Sequence, residues 1–144
     1  MKNCLSIIVL TARLLIGGIF IYASIEKIVN PGEFAQAIDN YRIIPFGLEN
    51  NMAIILPWLE LVIGICLILG VFIDGAAFLV IIMMMVFIIA ISYAILSGNN
   101  IECGCGLKPG ELVGMQKIIE DLTYVILAWM IIKRPNRKLE IFPI

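Results

Sequence analysis

The chain has 144 residues, 62% of them hydrophobic and 15% charged, with a mean hydropathy of +1.06, well above the roughly 45–50% apolar share of soluble domains. Such a composition excludes an ordinary water-soluble domain and predicts a single domain whose solvent is largely lipid. Lys and Arg number 10 against 11 Asp and Glu, and His is absent, so there is no basic surface for nucleic acid and no imidazole for ligation or general-base chemistry.

A spanning helix needs about 20 apolar residues. Residues 5–25 meet that length with one charge, Arg13. The Lys2 start is signal-like, but the following residues offer no good small-x-small cleavage site, so the segment reads as a retained helix. Asn30-Pro31-Gly32 then breaks the chain, because proline pushes its predecessor out of the α region. Phe34, Ala37, Ile38 and Tyr41 recur at helical spacing opposite Gln36, Asp39, Asn40 and Arg42, the pattern of a short amphipathic helix on the membrane surface. Tyr41, Phe46 and Trp58 are placed as interfacial aromatics.

The second span is read over 52–73 with one charge, Glu60, and the third over 75–96 with none, joined by a tight Ile73-Asp74-Gly75 link. A fourth, over 112–132, is apolar in its second half but carries Gln116, Lys117, Glu120 and Asp121 in its first turns. It is expected to span with those groups turned into the bundle. The fold class is therefore all-α, an integral membrane four-helix bundle with a short amphipathic helix between the first two spans. Lys133, Arg134, Arg137 and Lys138 follow the last span and Lys2 precedes the first. By the positive-inside rule both ends belong in the cytoplasm, which requires an even number of crossings and turns the loops 26–51 and 97–111 outward. Small residues at Gly17, Gly18, Gly64, Gly70, Ala90 and Ala94 mark where helices can approach closely in lipid.

Charges inside a bilayer are costly and expected to pair. Counted by helix rise, Arg13 and Glu60 both come out near the midplane, which makes an Arg13–Glu60 ion pair geometrically possible. Glu120 and Asp121 fall nearer the outer leaflet, within reach of Lys117 or Lys27, and Glu26 stands beside Lys27 at the outer end of the first span. Two roles remain open for these groups: a polar cavity serving a proton path or a quinone headgroup, or buried pairs that fix helix packing.

The four cysteines divide by position. Cys4 falls at the cytoplasmic face and Cys66 deep in the second span, where a small buried hydrophobe is its default role. Cys103-Gly104-Cys105-Gly106 lies in the outer loop. Two thiols flanking one glycine can close a small strained ring, and strained, exposed disulfides are the readily exchanged ones. Three roles compete for the pair: a dithiol/disulfide couple, a metal or cluster site for which Cys103, Cys105 and Glu102 supply too few ligands without a partner, and a static structural element. An outward loop lies in the compartment where disulfides form, which favours the first.

Arg13, Gly17-Gly18, Glu26-Lys27-Ile28, Asn30-Pro31, Phe34-Ala35, Ile38, Tyr41-Arg42 and Pro45 together resemble the first half of the DoxX-like superfamily of small four-helix membrane proteins. Pro57-Trp58-Leu59-Glu60-Leu61 with Gly64, Leu67 and Gly70 continues the likeness, over about residues 10–132 in all. The Cys103-Gly104-Cys105-Gly106 loop before an acidic helix is similar to the MauE branch. Two departures stand out: MauE-like chains commonly read Cys-Gly-Cys-Phe-Gly, and often carry Arg-Asp where this chain has Glu120-Asp121. The resemblance implies a redox-associated integral membrane protein that helps form or handle disulfides in exported proteins. The resulting expectation is a thiol–disulfide redox protein in which Cys103 and Cys105 exchange with a thioredoxin-like or exported thiol partner, with a quinone as the one cofactor considered and no metal. The rival is a membrane assembly subunit or small transporter using the same loop for docking or metal passage.

Overall fold

The computed structural model describes residues 2–45, 47–98 and 114–134, leaving aside the side chains of residues 2, 3 and 5. Within them the chain forms five helices: α1 (Lys2–Val29), α2 (Pro31–Asn40), α3 (Glu49–Leu69), α4 (Ile73–Leu96) and α5 (Met115–Ile132). The long helices contact in a ring, α1 on α3, α3 on α4, α4 on α5 and α5 on α1, while α2 packs on α3 and α1. Three helices, taken as Ser6–Val29, Glu49–Leu69 and Ile73–Leu96, are long and apolar enough to cross a membrane. Their surfaces are inverted relative to a soluble bundle. Ile55, Val62, Phe78, Val86 and Ile89 face outward, while Arg13, Lys27, Glu60, Lys117 and Asp121 are buried, as expected where lipid bathes the outside.

The α1–α3 contact is made by glycine. A Cβ on Gly64 would stand 2.8 Å from the carbonyl oxygen of Gly17, and one on Gly17 would stand 2.9 Å from that of Gly64. The two backbones touch because neither residue has a side chain, the close approach that small residues permit in lipid. Gly18 behaves differently, since a Cβ there meets nothing within 4 Å. Gly64→Ala should therefore cost about 1–3 kcal/mol by forcing rigid backbone apart, whereas Gly18→Ala should leave stability unchanged or slightly raised. Unfolding of both variants in detergent, followed by circular dichroism, checks the contrast.

The helix boundaries correct one expectation. The turn between the second and third long helices lies at 70–72, not at 73–75. Gly70 takes the left-handed conformation (φ 78°), and its N–H and that of Val71 both donate to the Cys66 carbonyl, at 2.9 and 3.0 Å. Glycine at this position ends a helix without the steric cost a Cβ would add. Asp74 consequently belongs to the first turn of α4, where a carboxylate suits the helix dipole. There it meets Arg134, whose Nη1 donates both to Asp74 and to the Ile131 carbonyl. This clasp ties the end of α5 to the start of α4 and sets the two helices antiparallel. Asp74 is partly solvated, with 40% side-chain exposure, so Asp74→Asn should cost no more than about 1 kcal/mol, again read by unfolding in detergent.

The connection between α1 and α2 follows the sequence directly. Asn30 leaves the helical region (φ −121°, ψ 64°) and Pro31 occupies the first helical position, where its missing N–H is no loss. α2 then turns Phe34, Ala35, Ala37 and Ile38 inward. Phe34, Ala35 and Ile38 form a small cluster with Ala53 that joins α2 to the start of α3.

A buried polar cluster between α1, α3 and α5

Lys27, in the last turn of α1, reaches into the bundle and donates to both oxygens of Glu60, at 2.7 and 2.9 Å. Both side chains are almost fully buried, at 7% and 4% exposure, so each ion is the other's main replacement for water. Two aromatic rings complete the ammonium's surroundings: Nζ stands 4.9 Å from the centroid of Phe34 on α2 and 5.7 Å from that of Phe87 on α4. Such contacts add cation–π attraction in a site already stripped of solvent.

α5 supplies the other half. Lys117 Nζ donates to Glu120 at 2.7 Å, and the Tyr124 hydroxyl donates to the other Glu120 oxygen at 3.0 Å. The spacings of three and four residues place all three on one helix face. Asp121 is buried beside them, and its Oδ2 has no hydrogen-bond partner among the described residues. Lys27, Glu60, Lys117, Glu120, Asp121 and Tyr124 line one polar cavity with Phe20, Met84 and Phe87. Its free space is about 30 Å³, room for one or two waters. Among the described residues, three carboxyl groups and two ammonium groups line it. Tyr41, just beyond α2, lies in the same field: burial first, and then the charge of Asp121, pushes its phenol up to about 12.

One reading from the sequence is corrected. Arg13 does not pair with Glu60. Its Nε donates to the carbonyl of Leu67 at 3.1 Å. The Gly17–Gly64 contact sets the register of α1 on α3, and that register carries Arg13 past Glu60 to the C-terminal turn of α3. Carbonyls there have no partner within the helix, and the dipole favours a cation. Counting depth along each helix separately could not supply this register. Glu60 takes Lys27 instead, whose long stem runs along apolar surface before its charge is met. Glu26, its sequence neighbour, is half-buried and does not line the cavity.

Glu120 and Asp121 do lie near Lys117 and Lys27, as the sequence leads one to expect. Phe87 and Tyr124 were not singled out from sequence. Tyr124 was detectable as an i+4 partner of Glu120, but nothing local in the apolar run 81–89 distinguishes Phe87. Cys103 and Cys105 lie outside the described residues, as does Phe46. Cys66 is only partly buried, packed against the main core, and Cys4 is exposed. Among the described residues no three His, Cys, Asp or Glu side chains gather as a metal site.

The family model described as "Methylamine utilisation protein MauE" matches residues 5–134. Among curated proteins, the methylamine utilization protein MauE of Methylophilus methylotrophus is 31% identical over 114 residues, covering 77% of this chain and 60% of its own length. The MauE protein of Methylorubrum extorquens is 39% identical over 84 residues, covering 58% of this chain and 45% of its own. That of Paracoccus denitrificans is 27% identical over 120 residues, covering 81% and 63%. The chain thus spans about half to two thirds of the length of these relatives. No solved structure matches it.

Proposed function

The chain belongs to the MauE family, and from that premise we propose that it is a membrane thiol–disulfide redox protein acting through Cys103 and Cys105. The observation that carries the reading is the placement of the cysteine segment's anchors. α4 ends at Leu96 and α5 begins at Met115, so the segment holding Cys103-Gly104-Cys105 is rooted at the end of the bundle where Lys117, Glu120 and Asp121 form the polar cluster. The chain on either side of the cysteine segment thus stands at the end of the bundle that holds the polar cluster.

In the exchange, a partner's thiolate attacks the Cys103–Cys105 disulfide and forms a mixed disulfide. The partner's second thiol then displaces the chain's cysteine. One partner S–S bond forms as the chain's own S–S bond breaks; two electrons and two protons pass from the partner to Cys103 and Cys105. The partner class is a thioredoxin-like or exported thiol protein. By the names of its relatives, the protein serves a methylamine-utilising system, where an exported enzyme would need its disulfides made or sorted.

We read α5 as a fourth crossing in a DoxX-like arrangement, its polar face turned into the cavity. The antiparallel α4–α5 pair held by Arg134 and Asp74 supports that reading, because it sets the start of α1 and the end of α5 at one end of the bundle. With Lys133 and Arg134 at that end and Arg137 and Lys138 following them in the sequence, we place the termini in the cytoplasm and the cysteine segment on the outer side of the inner membrane. Trapping thiols with an alkylating mass tag in intact cells tests the proposal. Cys103 and Cys105 should shift together between tagged and untagged forms under reductant and oxidant. A pair whose tagging never changes overturns it and leaves a docking or metal-passing loop.

A further inference from the structure

Asp121 stands apart from the other two carboxyl groups of the polar cavity. Lys27 donates to both oxygens of Glu60, at 2.7 and 2.9 Å. Lys117 and the Tyr124 hydroxyl take one oxygen each of Glu120, at 2.7 and 3.0 Å. Asp121 lines the same cavity and is 5% exposed, yet its Oδ2 has no hydrogen-bond partner among the described residues. A carboxylate held away from water with a bare oxygen is costly, so this oxygen calls for a ligand.

The cavity limits the class of ligand by size and by donor set. Its free space is about 30 Å³, enough for one or two waters and too little for an organic group. A metal ion needs several oxygens turned toward one point, and among the described residues no three His, Cys, Asp or Glu side chains gather in that way. A proton needs neither room nor a donor set. It makes Oδ2 a hydroxyl that donates to water in the cavity.

Each element packed around Asp121 bears on that proton. The ammonium groups of Lys27 on α1 and Lys117 on α5 favour the ionised form, and the carboxyl groups of Glu60 on α3 and Glu120 on α5 favour the neutral one. α4 lines the cavity with Met84 and Phe87, which carry no charge. Tyr41, just beyond α2, is within the field of Asp121. Opposed charges of this kind leave both forms accessible and lock neither. We propose that Asp121 is a buried proton-exchange site, its Oδ2 taking up and releasing one proton by way of water in the cavity between α1, α3 and α5. No electron moves and no other bond changes, so the site does not depend on the thiol redox reading above.

Infrared difference spectroscopy on the full chain in lipid nanodiscs tests it, with the aspartate carboxyl carbons labelled with carbon-13. The chain has three aspartates. Asp39 is exposed and Asp74 meets Arg134 at a partly solvated site, so Asp39→Asn and Asp74→Asn serve as controls. As pH is lowered from about 8 to about 5, a carboxylic acid band that shifts with the label should appear. It should survive in both controls and in the double variant Cys103→Ser/Cys105→Ser, and be lost in Asp121→Asn. A band that does not shift with the label places the proton on a glutamate and overturns the proposal, as does a labelled band that survives in Asp121→Asn or no band at all over this range. A band suppressed by sodium chloride but not by choline chloride overturns it in favour of a metal ion. If Asp121→Asn fails to fold, the label and the two controls decide, because a labelled band present in both controls leaves Asp121 as its source.

Discussion

Lys27→Met should lower the thermal unfolding midpoint of the protein in detergent by about 10 °C, corresponding to a loss of about 3–5 kcal/mol. The variant keeps the stem that packs against Phe34 and Phe87 but removes the ammonium held between Glu60, Phe34 and Phe87. Glu60 is then a buried carboxylate that has lost the one cation bonded to it at hydrogen-bond distance among the described residues. Glu60→Gln should cost less, because a neutral amide left near Lys27 still offers an acceptor. The double variant Lys27→Met/Glu60→Leu should recover most of the loss, since a matched apolar pair of similar volume removes both desolvation penalties. Midpoints by circular dichroism decide the matter. A double variant no more stable than Lys27→Met would mean that the cost lies in lost packing and not in the stranded charge.

Cys103→Ser together with Cys105→Ser should abolish thiol–disulfide exchange completely while leaving the unfolding midpoint within about 1 kcal/mol of the parent. Neither sulfur belongs to the described core, and serine is close to cysteine in size, so a packing role would survive the change. The single variants carry more information. When one cysteine of an exchanging pair is removed, the other can attack but its mixed disulfide is never resolved. One of the two singles should therefore accumulate a covalent adduct with its partner, visible on a non-reducing gel and released by dithiothreitol. That variant identifies the attacking sulfur and supplies the partner for mass spectrometry. Absence of any adduct from both singles, with exported disulfides formed normally in the double variant, would remove the redox assignment.

The sequence resolved the large elements because their signals are local. Asn30-Pro31 ends α1 through proline's own geometry, and the apolar runs of α1, α3 and α4 are too long for anything but lipid-embedded helices. The amphipathic spacing of Phe34, Ala37 and Ile38 placed α2. Local signals were less exact at the α3–α4 turn: Asp74-Gly75 looks like a turn, yet Gly70 with its left-handed backbone ends the helix earlier, and Asp74 finds its use at a helix start. Asp74 meets Arg134 across 60 positions of sequence, and no periodicity links them.

The polar residues show the same division more sharply. Composition and spacing determined by themselves that this is a membrane-embedded helical protein without histidine chemistry. They also determined that Arg13, Lys27, Glu60, Glu120 and Asp121 must find one another or a helix end, because lipid offers charges nothing else. Only the tertiary structure decided who meets whom. The Gly17–Gly64 contact sets the register of α1 on α3, sending Arg13 to the Leu67 carbonyl and leaving Glu60 to Lys27. Packing of α4 beside them brings Phe87 onto the ammonium. A sequence records which groups need partners. The partners are chosen by helix register and backbone approach, and those depend on contacts between residues far apart in the chain.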